Sequence, residues 1–482
     1  MAAILASTSW TAMVPGFSAS WHARASAWLS WPCSLQVVAG MLGLSWLTLL
    51  TCLRRYRLKD TPPGSLAFWE SLFYLLSPLR FVERRKALYG SVFKTNLLFA
   101  PTVHLTGEHA KLLLKTHSVG WPEHWVAILG RSSLTTINGP RHKFMRMSAM
   151  AAFTDAALEN YLPVLHELTD KHLELWTAKS STCGSFNPKD AIKAFTFEIA
   201  ETVLLGTKPG DGRESMLETF HELCDGLAAF IPWNLPFTTM QKAMKARATL
   251  LREYKRVIDM KRAEIEHGGM PTDMVSLVIG AGMRGEPITD EELQDFCLVI
   301  IFAGHDTTCA AMQTTLHFLH DNPKIWAELR EEVEGVWDGT VAPTWAQVQT
   351  CMSGKCGRFI SEVLRVLPPV PNIYRTANED MEVLGFRIPK GWKISANIEE
   401  LHQQSHSLDI DISLDHAALR QLENCPFGVG ARMCIGYKFA KVELIVWLMN
   451  LVSKCEINVT SSRSVVIPMS GMTVHAAFSK KC

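Results

Sequence analysis

Residues 427–436 read F-G-V-G-A-R-M-C-I-G: three glycines and an arginine gathered around one cysteine, running directly into the helical pattern YKFAKVELIVWLMNLV. Gly428 and Gly430 allow tight turns and a close approach of backbone to a bulky flat ligand, where side chains would intrude. Arg432 places a cation two residues before the sulfur. An amphipathic helix starting near Cys434 would turn its free N–H groups and positive dipole end on that sulfur, a setting that stabilises a thiolate. The other cysteines give no comparable signal. None of the twelve lies in a C-x-x-C pair or in zinc-finger spacing. In a chain of 482 residues they read as small buried hydrophobes of a reducing compartment.

With 48 basic against 47 acidic residues the chain has no global field to recruit nucleic acid. Its amino terminus is more informative. Ala25 to Leu53 carries no charge, and LQVVAGMLGLSWLTLLTCL (35–53) ends on Arg54, Arg55, Arg57 and Lys59. As a helix this run is about 28 Å long, close to the hydrocarbon thickness of a bilayer. Basic residues at its end keep that side cytosolic. The reading is a single membrane span in the endoplasmic reticulum with the body in the cytosol. Residues 1–59 also lack Asp and Glu and are rich in Ser and Ala, so a plastid or other organelle address stays open. DTPPGS (60–65) then breaks the helix and opens the body, which divides the chain into a targeting and anchor segment, 1–59, and a catalytic domain, 60–482.

The body reads as mainly α with small β-sheets. SVFKTNLLFAPTVHLTG (91–107) has the β-branched and aromatic character of a hairpin. Beyond it, stretches such as ALENYLPVLHELTDKHLELW and ARATLLREYKRVIDMKRAEIEH repeat apolar residues at helical spacing. AAFIPWNLPF (228–237) is an apolar loop, either a core turn or a surface touching lipid. Thr289 and Glu292 have capping-box spacing, and the apolar run CLVIIFAG that follows predicts a helix buried through the centre of the domain.

The cysteine stretch, with Phe427, Gly428, Gly430, Arg432, Cys434 and Gly436 all in place, resembles the haem-binding loop of the cytochrome P450 family. The resemblance implies a P450 fold around haem b (iron protoporphyrin IX), with Cys434 as the proximal thiolate ligand to iron, Phe427 beside the sulfur and Arg432 on a haem propionate. Ala440 and Glu443 fall where the family's next helix has Ala and Glu. AGHDTT (303–308) is similar to the family's central-helix motif; by that likeness Asp306 and Thr307 relay protons to dioxygen while Ala303 and Gly304 keep the distal face open. His305 is a side feature there rather than a ligand. Glu362 and Arg365 in SEVLR have the spacing of an ordinary surface ion pair, but in this order they resemble the buried network that holds the haem core. Arg375, and His142 with Arg146 in HKFMR, are further propionate candidates. The likeness covers about residues 60–480.

It breaks between His402 and Cys425, where the family carries F-x-P-x-R and this chain has HQQSHSLDIDISLDHAALRQLENC. Arg420 is the candidate replacement for that arginine, on which haem retention would then depend. The function implied is a membrane-anchored monooxygenase that oxidises a lipophilic substrate with O2. No nucleotide or flavin motif occurs in the chain, so electrons come from a separate NADPH-cytochrome P450 reductase or a ferredoxin, met by a basic face including Lys438 and Lys441. Apolar pocket segments (121–129, 228–237, 370–373) and the A-G-H-D-T-T and H-x-x-x-R forms are similar to the sterol- and retinoid-oxidising branch. Two alternatives remain at this level: a P450-fold isomerase or dehydratase needing no external electrons, and a degenerate haem-binding relative without catalysis.

Overall fold

The computed structural model describes residues 58–67, 69–76, 78–97, 100–115, 119–207, 216–227, 229, 233–403, 425–461 and 474–481. The predicted span at 35–53 and Arg420 lie outside the described residues. Contacts group the chain into two units, one of residues 62–382 and 388–482, the other of 1–61 and 383–387. In the smaller unit the Arg387 amide donates to the Asp60 carbonyl at 2.7 Å, and Leu384 (φ +54°) and Gly385 (φ +77°) make a turn.

The larger unit is mainly helical. Its principal sheet runs β1 (Val92–Leu97), β2 (Ala100–Leu105), β7 (Lys393–Asn397), β4 (Asn372–Ala377) and β3 (Val119–Gly120), in that spatial order. The predicted hairpin is present as β1 antiparallel to β2, with Val92 opposite Leu105. β7, almost 300 residues later, pairs parallel to β2 and antiparallel to β4, setting Arg375 opposite Ile394. Two-stranded sheets β5–β6 (Met381–Val383, Phe386–Ile388) and β8–β9 (Cys455–Ser461, Val474–Lys480) complete the strands among the described residues.

The central helix, Asp290–Asp321, begins with the expected capping box: the Thr289 hydroxyl accepts the Glu292 amide and the Glu292 carboxylate accepts the Thr289 amide. It is long and apolar enough to cross a bilayer, yet most of it is buried inside the protein, so it is a core helix. The helices Lys189–Ile199, Thr239–Glu266, Lys355–Val366 and Tyr437–Lys454 pack on it. Lys189–Ile199 continues into a π-helical turn, Ala200–Leu204. A Cβ on Gly304 would lie 3.2 Å from Leu204 Cδ1, so glycine there lets the central helix close on the π turn.

One sequence expectation changes. The helix expected near Cys434 runs Tyr437–Lys454, but it is not amphipathic: Phe439 and every residue from Val442 to Val452 are buried. Helices Asp155–Cys183, Pro323–Val336, Trp345–Ser353 and Lys355–Val366 all pack on it, so apolar residues are needed on more than one face.

Candidate functional site

Cys434 sits between a 3₁₀ turn, Gly430–Arg432, and the start of the Tyr437–Lys454 helix. Gly428 and Gly430 have φ of +71° and +72°, the left-handed region that glycine enters without steric cost. Gly436 has an ordinary backbone (φ −87°), and a Cβ there would make normal contact with Phe153, so it relieves no strain in this fold. The loop is closed by Gly428 N–H donating to the Cys425 carbonyl (2.8 Å) and Cys434 N–H donating to the Phe427 carbonyl (2.9 Å). Phe427 packs with its ring centroid 6.3 Å from that of Tyr437, under Lys441 Nζ. The Cys434 side chain is accessible, but protein closes around it tightly enough that burial raises the thiol's pKa; the Gly436 amide and the Arg146 charge oppose that rise without cancelling it.

Four basic groups gather at this loop. His142 and Arg146 share the Gly139–Met150 helix; Arg375 lies on β4 with its guanidinium 4.4 Å from the Trp121 ring centre; Arg432 belongs to the loop. No carboxylate among the described residues pairs with Arg146, Arg375 or Arg432. Burial, then repulsion from Arg432, lowers Arg375 to about 10, and burial, then Arg432 and Arg146, lowers His142 to about 4. At about 4 the His142 ring is neutral and offers a hydrogen bond, while Arg146, Arg375 and Arg432 are cations with no carboxylate partner among the described residues, a setting for a negatively charged ligand. Arg432 is not wholly given to such a ligand. Its guanidinium donates to the carbonyls of Leu134 (3.1 Å) and Ile137 and to Asn138 Oδ1 (2.6 Å), and so clamps the loop at 134–138 to the cysteine loop.

The buried run of the central helix opens at one place. Ala303 is exposed, with Gly304 and Thr307 half-buried on the same face. Thr307 Oγ1 donates to the Ala303 carbonyl at 2.6 Å, leaving its lone pairs to the open side. Gly304, expected to hold the distal face open, is chiefly a packing glycine against Leu204, and Ala303 and Thr307 carry the opening. Asp306, adjacent in sequence, points elsewhere: it is buried, 3.7 Å from Lys193 Nζ. His305 is fully buried, bonded to Thr196 Oγ1 at 2.9 Å and stacked on His221, and burial lowers it to about 4, so it is a core histidine. Glu443, on the helix after the loop, is buried with no hydrogen-bond partner at Oε1, and burial holds its carboxyl well above the carboxylate range. Trp121, Trp125 and Phe302 form an aromatic wall in this part of the larger unit, with Trp121 stacked on Trp125 at 5.4 Å and Trp125 edge-on to Phe302 at 6.5 Å.

Glu362 and Arg365 form a fully buried pair, with both guanidinium–carboxylate bonds present at 2.8 and 3.0 Å, rather than a surface contact. The sequence did not signal Asp295. It is buried on the central helix, pairs with Arg247 and accepts Ser132 N–H (3.1 Å), and Gly130 (φ +96°) makes room for its carboxylate. This cluster sets the loop that Arg432 clamps, and neither partner is near Asp295 in the chain. Glu332, Cys351 and Cys356 also lie together, but both Glu332 oxygens accept the backbone amides of Lys355 and Cys356, so the carboxylate caps the helix that carries Glu362 and Arg365. Lys438, expected on an electron-donor face, pairs with Asp155 at 2.9 Å.

An accessible cysteine at a helix entrance, glycine turns permitting close approach, uncompensated cations beside it and a helix opened at Ala303 fit an iron porphyrin with two propionates. Fold and site together fit the haem-thiolate class, in which a cysteine ligates the iron and haem supplies oxygen activation. The family model for cytochrome P450 matches residues 61–480, and the chain belongs to that family, whose activity is monooxygenation. It is 31% identical over 440 residues to Cytochrome P450 26A1 of Xenopus laevis (84% of this chain, 87% of that protein). It is 29% identical over 442 residues to Abscisic acid 8'-hydroxylase 1 of Arabidopsis thaliana (87% and 91%). A solved structure described as retinoic acid-bound cyanobacterial CYP120A1 superposes with a TM-score of 0.75 at 25% identity, covering 88% of this chain and all of that one.

Proposed function

We propose that this monooxygenase hydroxylates a lipophilic isoprenoid carboxylic acid, reached from a membrane to which residues 35–53 anchor it as a single span, with electrons from a separate reductase. The observation that carries the substrate class is the aromatic wall of Trp121, Trp125 and Phe302, whose phenylalanine neighbours Ala303 in the chain. Large apolar faces of this kind favour a flat, unsaturated hydrocarbon body. The names of two similar proteins support the acid: retinoic acid and abscisic acid are both isoprenoid carboxylic acids.

The residues divide the work. Haem bound at Cys434 would supply the oxidising chemistry, its electron-rich thiolate favouring O–O cleavage. Arg146, Arg375 and His142 hold the negative edge of the porphyrin, with Arg432 fixing the loop beside it. Ala303 leaves room for dioxygen and the reacting carbon. Thr307 Oγ1 accepts and passes a proton on that side, and the Lys193–Asp306 pair takes protons in from the other face of the helix. A peroxide-rearranging isomerase has no use for the acid and alcohol kept here at Asp306 and Thr307, which favours the monooxygenase reading.

Titrating the ferric holoenzyme with retinoic acid, abscisic acid and a sterol, and following the absorbance change when a ligand displaces water from iron, tests the substrate class. Saturable shifts are expected with at least one acid and not with its methyl ester at equal concentration. Shifts with the sterol alone would overturn the acid assignment.

A further inference from the structure

We propose that His402 is a positioning residue for the cysteine loop: its imidazole accepts the backbone N–H of Cys425 and ties the loop's entry to the helix that carries the buried Glu362–Arg365 pair. His402 is fully buried at the end of the Ile398–Gln403 helix. Its Nε2 lies 2.9 Å from Cys425 N, and its own carbonyl accepts from Arg365 Nη1 at 3.5 Å. Cys425 passes the connection on. Its carbonyl accepts Gly428 N–H, and one residue before Gly428 the Phe427 carbonyl accepts Cys434 N–H. A continuous run of hydrogen bonds thus leads from the Glu362–Arg365 pair to the ligand cysteine through one imidazole.

An amide is only a donor, so the Nε2 facing it must carry a lone pair; the ring proton then sits on Nδ1, which is buried and makes no hydrogen bond among the described residues. A charged ring would lose that acceptor and stand against Arg365. The elements packed on the Ile398–Gln403 helix bring Glu362 and Arg365 from the Lys355–Val366 helix, Glu108 and His109 from the turn at Gly107–His109, and Arg375 from β4. Burial lowers His402 to about 4; of these groups Arg365 acts on the ring, its backbone opposing that fall and its charge adding to it. The bond joins Cys425 to a residue 23 positions earlier in the chain, at the entry of the cysteine loop that must present a sulfur in one place. A space-filling core histidine would need neither the bond to Cys425 nor a lone pair on that side.

The inference rests on the haem-thiolate reading, and the test separates the two. In wild-type holoenzyme, reduced and treated with carbon monoxide, the Soret band characteristic of thiolate ligation is expected; its absence would sink the haem-thiolate reading itself. His402→Leu keeps bulk and removes the acceptor, and should raise the ratio of thiol-ligated to thiolate-ligated carbonyl complex roughly tenfold, the scale of one buried donor left unpaired. His402→Gln, whose Oε1 reaches about as far as Nε2, should stay within about twofold of wild type. Amide hydrogen exchange at Cys425 should accelerate in the leucine variant and remain slow in the glutamine variant. A leucine variant that matches wild type in both measurements overturns the proposal. Should the leucine variant fail to accumulate, His402→Asn, one methylene too short, must behave worse than His402→Gln; equal behaviour of the two also overturns it.

Discussion

Left to the protein alone, Cys434 is a protonated thiol: burial dominates, and the Gly436 amide with the Arg146 charge recovers only part of the cost of ionisation. In the proposed ligand role the thiolate would form as the metal binds, since ligation and deprotonation are coupled. Cys434→Ser keeps the loop's hydrogen bond from residue 434 N–H to Phe427 but removes the sulfur. Its reduced carbonyl complex should lack the thiolate Soret band entirely, and its activity should fall below detection; a spectrum unchanged from wild type would take Cys434 out of the ligand role. The residue types were legible in the sequence because a cysteine among positive-φ glycines has few other uses. Their partners were not. That Arg432 spends its guanidinium on Leu134, Ile137 and Asn138, or that Asp306 faces Lys193 rather than Thr307, depends on segments brought together from far along the chain.

At the scale of elements, the cysteine loop joins a left-handed glycine turn to a helix buried on every side from Val442 to Val452. Gly428 has open space where a Cβ would go, so a substitution there is felt through the backbone alone. Gly428→Ala should cost about 1 kcal/mol and Gly428→Val more, because a β-branched residue resists the left-handed conformation. Rates of haem loss to an excess of apo-myoglobin would read both, with equal rates in alanine, valine and wild-type proteins counting against the strain argument. Elements with a local cause were readable: the β1–β2 hairpin from its alternation and turn residues, the central helix from its capping box and apolar run. The expected amphipathic character of the Tyr437–Lys454 helix was wrong because how many sides of a helix are covered is settled by its neighbours, not by its own pattern.

For the molecule as a whole, the anchor and the catalytic body are proposed to be separable functions of one chain. Deleting residues 1–59 should move the protein from the membrane pellet to the supernatant while leaving the thiolate–carbonyl spectrum in place; a truncated protein that still sediments with membranes would mean that the body carries its own attachment. Such an attachment has a visible candidate in the exposed side chains of Trp233, Leu235 and Phe237, the described end of the apolar stretch 228–237, which is surface there rather than a core turn. Sequence alone determined the class of chemistry, since ligand identity, glycine turns and an acid–alcohol pair in an apolar helix are properties of residue type and spacing within a few positions. Tertiary structure decided which charges are left uncompensated around the sulfur, which face of the central helix is open, and which residue ties the loop's entry to the buried ion pair. Those outcomes depend on contacts between segments tens to hundreds of residues apart, where burial and desolvation, which no local pattern encodes, set the strength of every polar interaction.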